Sequence, residues 1–428
     1  MKEDFYSYLE DYLSKENINK LKQSMLEKPN KGFVLNLNKL DKESLLKEYP
    51  DFIQDDNIPY LYRYDQDKIS LGKSILHELG GLYILDPAGV IISTLIDNSY
   101  QRFVLDMCAA PGGKTISYAI SHPNDLIIAN DYSTTRSQEL AKNIERLGLA
   151  NVVVTNYPPS YFIDIYPSMF DVIILDAPCS GNGMFRKEEK MEDDWSIEKV
   201  NKLLPIQDDL LNTASLLLKD GGNLIYSTCS YLKMEDEDRL SLFLSNHKDF
   251  HMQEFKMLDS YYPGTLKGSI HLFPFMYKGE GHFISCLKKD GNIIPSTFNL
   301  KGSKYNKDNN LYEFEYNNTL YGLSIFTNSL LRLKSIKIGV KIKDNSKYAK
   351  IEYDHNYSRY LSSSNSINVS LDQAISYIKG EEIKVDDNRK DGTYLISYNG
   401  LNISFTSKKG NKCKNCYPKG LRKTIIKL

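Results

Sequence analysis

Two cysteines stand at the ends of apolar runs, and they are the residues best suited to covalent chemistry. DVIILDAPCSGNG (171–183) carries Asp176 and Cys179, and NLIYSTCSY (223–231) carries Cys229. A cysteine attacks as its thiolate, so its surroundings must lower its pKa or supply a base. Carbon 5 of a pyrimidine is a poor nucleophile. A thiolate that adds to carbon 6 turns the ring into an enamine, whose carbon 5 can then take up a methyl group. A base must remove the carbon 5 proton before the thiolate can leave, and an acid such as Asp176 can hydrogen-bond or protonate the ring edge during addition. A lone free cysteine more often reads as a small buried apolar residue. Two of them at strand ends beside a ligand loop favour chemistry, and their positions leave open which one attacks.

The ligand loop is VLDMCAAPGGKT (104–115), a strand, a Gly-rich turn and the start of a helix. A phosphate loop of the Walker type requires glycine where Cys108 stands, which argues against a nucleotide triphosphatase. The pattern instead fits a class I methyltransferase loop. Gly112 and Gly113 allow close approach of a ligand to the backbone, and the helix that follows offers free N–H groups and a positive dipole end. The carboxylate of S-adenosylmethionine suits such a site. Asp131 ends the next strand in LIIAND, at about the ~20-residue spacing of a ribose-binding acid; its alternative is a helix cap before STTRSQEL.

These residues need a scaffold. FVLDM, LIIAND, NVVVTN, DVIILDA and NLIYSTC are short apolar runs, with helical stretches such as TTRSQELAKNIERLGL between them. That alternation predicts a doubly wound α/β sheet of the Rossmann-like, class I methyltransferase kind, with ligands beyond the carboxyl ends of its strands. The predicted organisation is a small N-terminal α+β domain (1–95), a catalytic domain (96–290), a first β-rich domain (291–365) and a second β-rich domain (366–428). The last two follow from short alternating strands such as LYEFEY and TYLISYNGLNISF.

Bulk properties narrow the class. At ~150 residues per domain, 428 residues give roughly three domains. No apolar run approaches the ~18 residues of a membrane helix, and the acidic start MKEDFYSYLEDYL lacks a signal-peptide core, so a cytoplasmic, non-membrane, monomeric protein is expected. Six scattered cysteines do not form a disulfide framework. Cys413-x-x-Cys416 lacks the second pair a structural zinc site needs, so no metal is expected. Net charge is −1, yet residues 401–428 hold eight Lys or Arg and no Asp or Glu. Such a basic end can pair with phosphates or stand as a solvated tail.

DMCAAPGGKT, ILDAPCSGNGMFRK, the LLKDGG segment and IYSTCSY resemble the Nop/Sun family of RNA cytosine-5 methyltransferases. FPFMYKGEGHF (273–283) and NCYPKGLR (415–422) resemble its bacterial RsmF type, which modifies 16S ribosomal RNA of the small subunit. The resemblance implies that Cys229 is the nucleophile and that Cys179 helps release the methylated product. It places Cys108, Ala109, Ala110, Pro111, Gly112, Gly113, Lys114, Asp131 and Asp176 at cofactor-binding positions, with Asp176 also beside the target base. Residues 1–95 are implied to form a domain of RNA-binding type and 366–428 a PUA-like RNA-binding domain, with Arg186, Lys419 and Arg422 implied to contact RNA.

Three departures accompany it. Pro158 stands where the family has an acid near the adenine, leaving Asn156 or Tyr157 to take that contact, and Asn156 is counted among the cofactor residues. His271 and Phe275 replace an arginine and a histidine around Pro274. In the terminal domain, Ser404-Phe405-Thr406 replaces a Gly-Trp-Gly-Lys turn, and Cys416 replaces a histidine. The rival readings are a transfer-RNA cytosine-5 methyltransferase and a non-catalytic ribosome-assembly or RNA-binding factor.

Overall fold

Short aliphatic runs become strands whose residues are all buried, β1 Phe103–Asp106 and β2 Leu126–Asn130. β3 is Val152–Thr155, β4 Phe170–Asp176, β5 Leu218–Thr228, β6 Ser269–Leu272 and β7 His282–Lys289. Continuous apolar sequence suits strands covered on both faces, and β1, β2, β4 and β5 pair in parallel. The intervening helices are α1 Gly113–Ser121, α2 Thr134–Leu147, α3 Ile197–Leu217 and α4 Glu237–Asn246. α3 buries Val200, Gln207, Leu210, Leu211, Ala214 and Leu217, one face at three- and four-residue spacing.

This computed structural model describes residues 3–187, 189–254, 260–345 and 352–425. The chain forms two compact units that are discontinuous in sequence. The first comprises Met1–Lys31, Leu85–Ser137 and Thr155–Thr297; the second comprises Gly32–Ile84, Gln138–Val154 and Phe298–Leu428.

In the first unit the strands lie in the order Tyr262–Pro263, β6, β7, β5, β4, β1, β2. Register aligns the carboxyl ends on one edge, with Asp106 opposite Ala129 and Asp176 opposite Ser227. β7 joins antiparallel, with Phe283 opposite Thr228, so its first residue His282 comes to the same edge. The N-terminal helices Glu3–Ser7 and Lys15–Ser24 belong to this unit, where Phe5, Leu9 and Leu21 pack with Phe185, Trp195 and Tyr231.

The second unit holds a sheet ordered Ile53–Gln54, Leu61–Arg63, Gly32–Leu35, Leu82–Leu85. An antiparallel sheet contains Leu311–Tyr316, Thr319–Leu323 and Val340–Asp344. A five-stranded sheet includes Gly392–Tyr398, Leu401–Lys409 and Lys412–Asn415. Helix Leu371–Lys379 belongs with it, opened by a Ser370/Gln373 capping box and closed by left-handed Gly380. The Rossmann-like sheet and the β-rich C-terminal region expected from the sequence are both found. Among the described residues, no helix is long and apolar enough to cross a membrane.

Candidate active site

The carboxyl ends of β4 and β5 bring the two cysteines together. Cys179 Sγ lies 3.1 Å from Cys229 Sγ, and the Cys229 N–H donates to Cys179 Sγ at 3.3 Å. The hydrogen bond with Cys229 and burial push the Cys179 thiol well above its ordinary range, with Glu235 and Asp176 adding to the effect. Cys179 therefore keeps its proton at neutral pH and can donate its S–H to the neighbouring sulfur.

A buried polar network fixes both cysteine loops. Glu235 accepts from the Ser180 N–H at 2.8 Å, from Ser180 Oγ at 2.6 Å and from Ser230 Oγ at 2.7 Å. Gln207 on α3 donates to Pro178 O at 3.0 Å. Asn182 donates to Ser180 Oγ and Ser230 Oγ, and its Oδ1 accepts from the Tyr231 N–H. The Gly183 N–H donates to Cys229 O at 2.9 Å, and the Gly281 N–H donates to Gly183 O at 2.9 Å. A Cβ on Gly183 would meet Gly281 O at 2.5 Å and Cys229 O at 2.9 Å, so only glycine lets these three backbones converge.

Asp176 ends β4 beside the thiols. Its Oδ1 accepts from Ser227 Oγ at 2.9 Å, and its Oδ2 pairs with Lys114 Nζ at 2.7 Å. The Asp176 side chain is 32% exposed against 12% for Lys114, so the carboxylate is the member of the pair presented outward. Burial opposes the charge on Lys114, but Asp176, with Cys229 and Asp106, outweighs it and raises the ammonium above its usual range.

The Gly-rich loop closes on the ends of β1 and β2. Gly112 has φ 116°, a left-handed conformation that caps α1. The Ala109 N–H donates to Asn130 O at 2.8 Å. The Ala110 N–H donates to Asp131 Oδ2 at 3.2 Å, and Asp131 Oδ1 accepts from the Ser133 N–H at 2.9 Å. Asp131 thus ties the loop to β2 and caps the turn into α2. Ala109 and Ala110 are buried, Cys108 is half-buried with its thiol pushed up by burial, and Pro111 is exposed. Asp106 lies under the loop, bonded by Thr115 Oγ1 at 2.6 Å, and burial pushes it up to about 7.

Residues 93–288 match the family described as 16S rRNA methyltransferase RsmB/F, and residues 364–423 match the Methyltransferase RsmF PUA domain. Ribosomal RNA small subunit methyltransferase F of Shewanella piezotolerans is 30% identical over 403 residues, spanning 86% of this chain and 84% of that protein. This chain belongs to the RsmB/F methyltransferase family. Two solved structures share the fold. PH0851 has a TM-score of 0.60 at 25% identity, covering 66% of this chain and 65% of that one. NSun6 from Pyrococcus horikoshii with SFG also has a TM-score of 0.60, at 19% identity, covering 68% of this chain and 99% of that one.

Several residues of this RsmB/F chain sit differently from what the sequence led us to expect. Arg186, expected at RNA, is an interior residue. It pairs with Glu280 at 2.8 Å, both side chains 1% exposed, and donates to Gly279 O and Ser24 O, which leaves it no role on the surface. Asn156, expected at the adenine, already has both polar ends engaged: Nδ2 donates to Asp131 O and Tyr132 O, and Oδ1 accepts from Thr134 Oγ1. Lys114 Nζ reaches Asp176 and His282. Lys419 and Arg422 are exposed, as phosphate contacts require. Of the basic end, Lys427 lies outside the described residues.

Sequence reasoning missed Glu235, Asn182 and His282. Glu235 lies in KMEDEDR, which reads as the solvated start of a helix. Of the substituted positions, His271 is buried, with Nε2 3.0 Å from Glu237 Oε1, and Phe275 is half-buried and stacks on Phe273. Asp236, Glu237 and His271 bring donor atoms within 4.8 Å of one another. Burial and Glu237 hold Asp236 well above the usual carboxylate range, so a proton is at hand for this cluster.

Proposed function

We propose that this chain is an S-adenosylmethionine-dependent methyltransferase that forms 5-methylcytosine in small-subunit ribosomal RNA. The observation that carries the reading is the Cys179–Cys229 pair, 3.1 Å apart, beside an outward-facing Asp176. A single thiol would suffice for packing or for simple nucleophilic attack. Two thiols in contact suit a reaction in which one sulfur bonds the ring and another helps the bond break.

In this reading the Cys229 thiolate adds to carbon 6 of cytosine and leaves carbon 5 electron-rich. Cys179 is the partner and not the attacker, the role that the resemblance to the family gives it. Asp176, anchored by Lys114 and Ser227, offers its carboxylate to the polar edge of the ring. Bound S-adenosylmethionine supplies an electrophilic methyl group. Cys179 then assists elimination: water takes the carbon 5 proton, the C5–C6 double bond re-forms, and the Cys229–carbon 6 bond breaks as the Cys179 S–H proton passes to the departing Cys229 sulfur. The loop Cys108–Lys114 with left-handed Gly112 and the start of α1 supports cofactor binding there, with Asp131 at the ribose. With the Asn156 side chain engaged elsewhere, the adenine contact falls to Tyr157, whose ring stacks on Tyr161.

Ribosomal RNA as substrate is supported by the names of the relatives and by the PUA match, where exposed Lys419 and Arg422 suit phosphates. A base attacked on its face must be unstacked, so a loop or single-stranded cytosine is the target. The test is bisulfite mapping of small-subunit RNA from cells with and without this protein, alongside transfer of labelled methyl groups in vitro. A cytosine protected only when the protein is present is expected. Unchanged maps together with no transfer would overturn the reading.

A further inference from the structure

Four side chains stand in line behind the outward face of Asp176. Asp176 Oδ2 meets Lys114 Nζ at 2.7 Å, Lys114 Nζ meets His282 Nε2 at 3.4 Å, and His282 Nδ1 lies 3.3 Å from Asp86 Oδ2. An ammonium can only donate, so His282 Nε2 is the acceptor and the ring proton sits on Nδ1, facing Asp86. This tautomer requires a neutral ring. Burial and Lys114 hold the imidazole well below its usual range, in keeping with that. Asp86 is fixed in turn, its Oδ1 accepting from the Glu280 N–H at 2.9 Å and the Ala88 N–H at 3.3 Å. Three separate elements contribute: α1, the start of β7 and the turn before Pro87–Thr94.

We propose that His282 is a positioning residue for methyl transfer, holding the Lys114 ammonium against Asp176, with Asp86 beside the ring. The proposal rests on the reading that Asp176 meets the target cytosine. A lysine ammonium on a four-carbon stem has three rotatable donors, so one partner alone leaves its direction loose. A second acceptor at 3.4 Å restricts the ammonium, and through it the carboxylate that faces the base. A histidine that only filled space would not need its Nε2 on the ammonium that pairs with Asp176.

His282→Phe keeps the ring volume and removes both nitrogens. His282→Gln restores an acceptor for Lys114. Methyl transfer to small-subunit RNA by the full chain is measured as kcat and KM, with S-adenosylmethionine binding followed by calorimetry. His282→Phe is expected to lower kcat about tenfold or more while cofactor affinity stays within about twofold, and His282→Gln to recover to within about threefold of wild type. His282→Met replaces the Phe variant if that one unfolds. Wild-type kcat in His282→Phe, or equal impairment of folded His282→Gln, would overturn the proposal in favour of packing alone. Failure of the functional reading looks different, since the wild-type protein itself would then transfer no methyl group to cytosine.

Discussion

Removing Glu235 tests how the two cysteine loops are held. The residue is fully buried, and its carboxylate accepts from the Ser180 N–H at 2.8 Å, Gln207 Nε2 at 3.3 Å, Ser180 Oγ at 2.6 Å and Ser230 Oγ at 2.7 Å. Hydrogen bonds to a charged acceptor contribute about 1.5–3 kcal/mol each, but bonds sharing one acceptor group do not add. Deleting one partner of a buried charged arrangement costs about 3–5 kcal/mol, and that is the loss of stability expected for Glu235→Ala. Glu235→Gln keeps one acceptor oxygen, and the Ser180 and Ser230 hydroxyls can turn to accept from its amide, so it should cost only about 1–2 kcal/mol. Trp195 is the one tryptophan of the chain and is buried in the same unit, so its fluorescence during denaturation reports this unit directly. Freed segments at 179–180 and 229–230 should also lower methyl transfer about a hundredfold. A loss below about 1 kcal/mol in Glu235→Ala, with activity intact, would refute the idea that this network sets the geometry of the cysteines.

Arg186→Met should destabilise the first unit by about 3–5 kcal/mol, because it strands Glu280 in the interior. The salt dependence of RNA binding should not change, which titration at several ionic strengths would check. Asp106 gives a pH signature. Its native value of about 7 lies above the ~3.9 of an unfolded chain, so its stabilising proton is fully in place below ~3.9 and is lost as pH rises through about 7. Between about pH 5 and pH 8 the wild type should lose roughly 2–3 kcal/mol relative to Asp106→Asn, read from unfolding free energies at both pH values; parallel curves would contradict this.

The strands and their chemistry-bearing ends were legible because an apolar run that stops at Asp176 or Thr228 carries its own signal of burial followed by exposure. Register then made neighbours of residues that sequence could place only on the same edge, and the thiol contact follows from β4 pairing with β5. Partners in buried polar networks were not legible. Arg186 and Glu280 are separated by 94 positions, and no local pattern links them. Glu235 sits among acids that look solvated, yet α3 and the two cysteine loops close over it. Lys114 stands in the first turn of α1, after a Gly-rich turn whose spacing announces a ligand, and its long stem brings the charge to Asp176. Asn156 had the right chemistry for a nucleobase, and only the fold reveals that the turn after β2 already occupies it.

The division of labour between the two sulfurs is the centre of this account, and trapping tests it most directly. Wild type, Cys179→Ala, Cys229→Ala and the double variant are each incubated with small-subunit RNA and S-adenosylmethionine, then separated under denaturing conditions. Cys179→Ala should accumulate a covalent protein–RNA complex, because the methylated adduct forms and cannot be released. Cys229→Ala and the double variant should form none. A complex that persists without Cys229, or normal turnover with no trapped complex in Cys179→Ala, would contradict the two-cysteine mechanism.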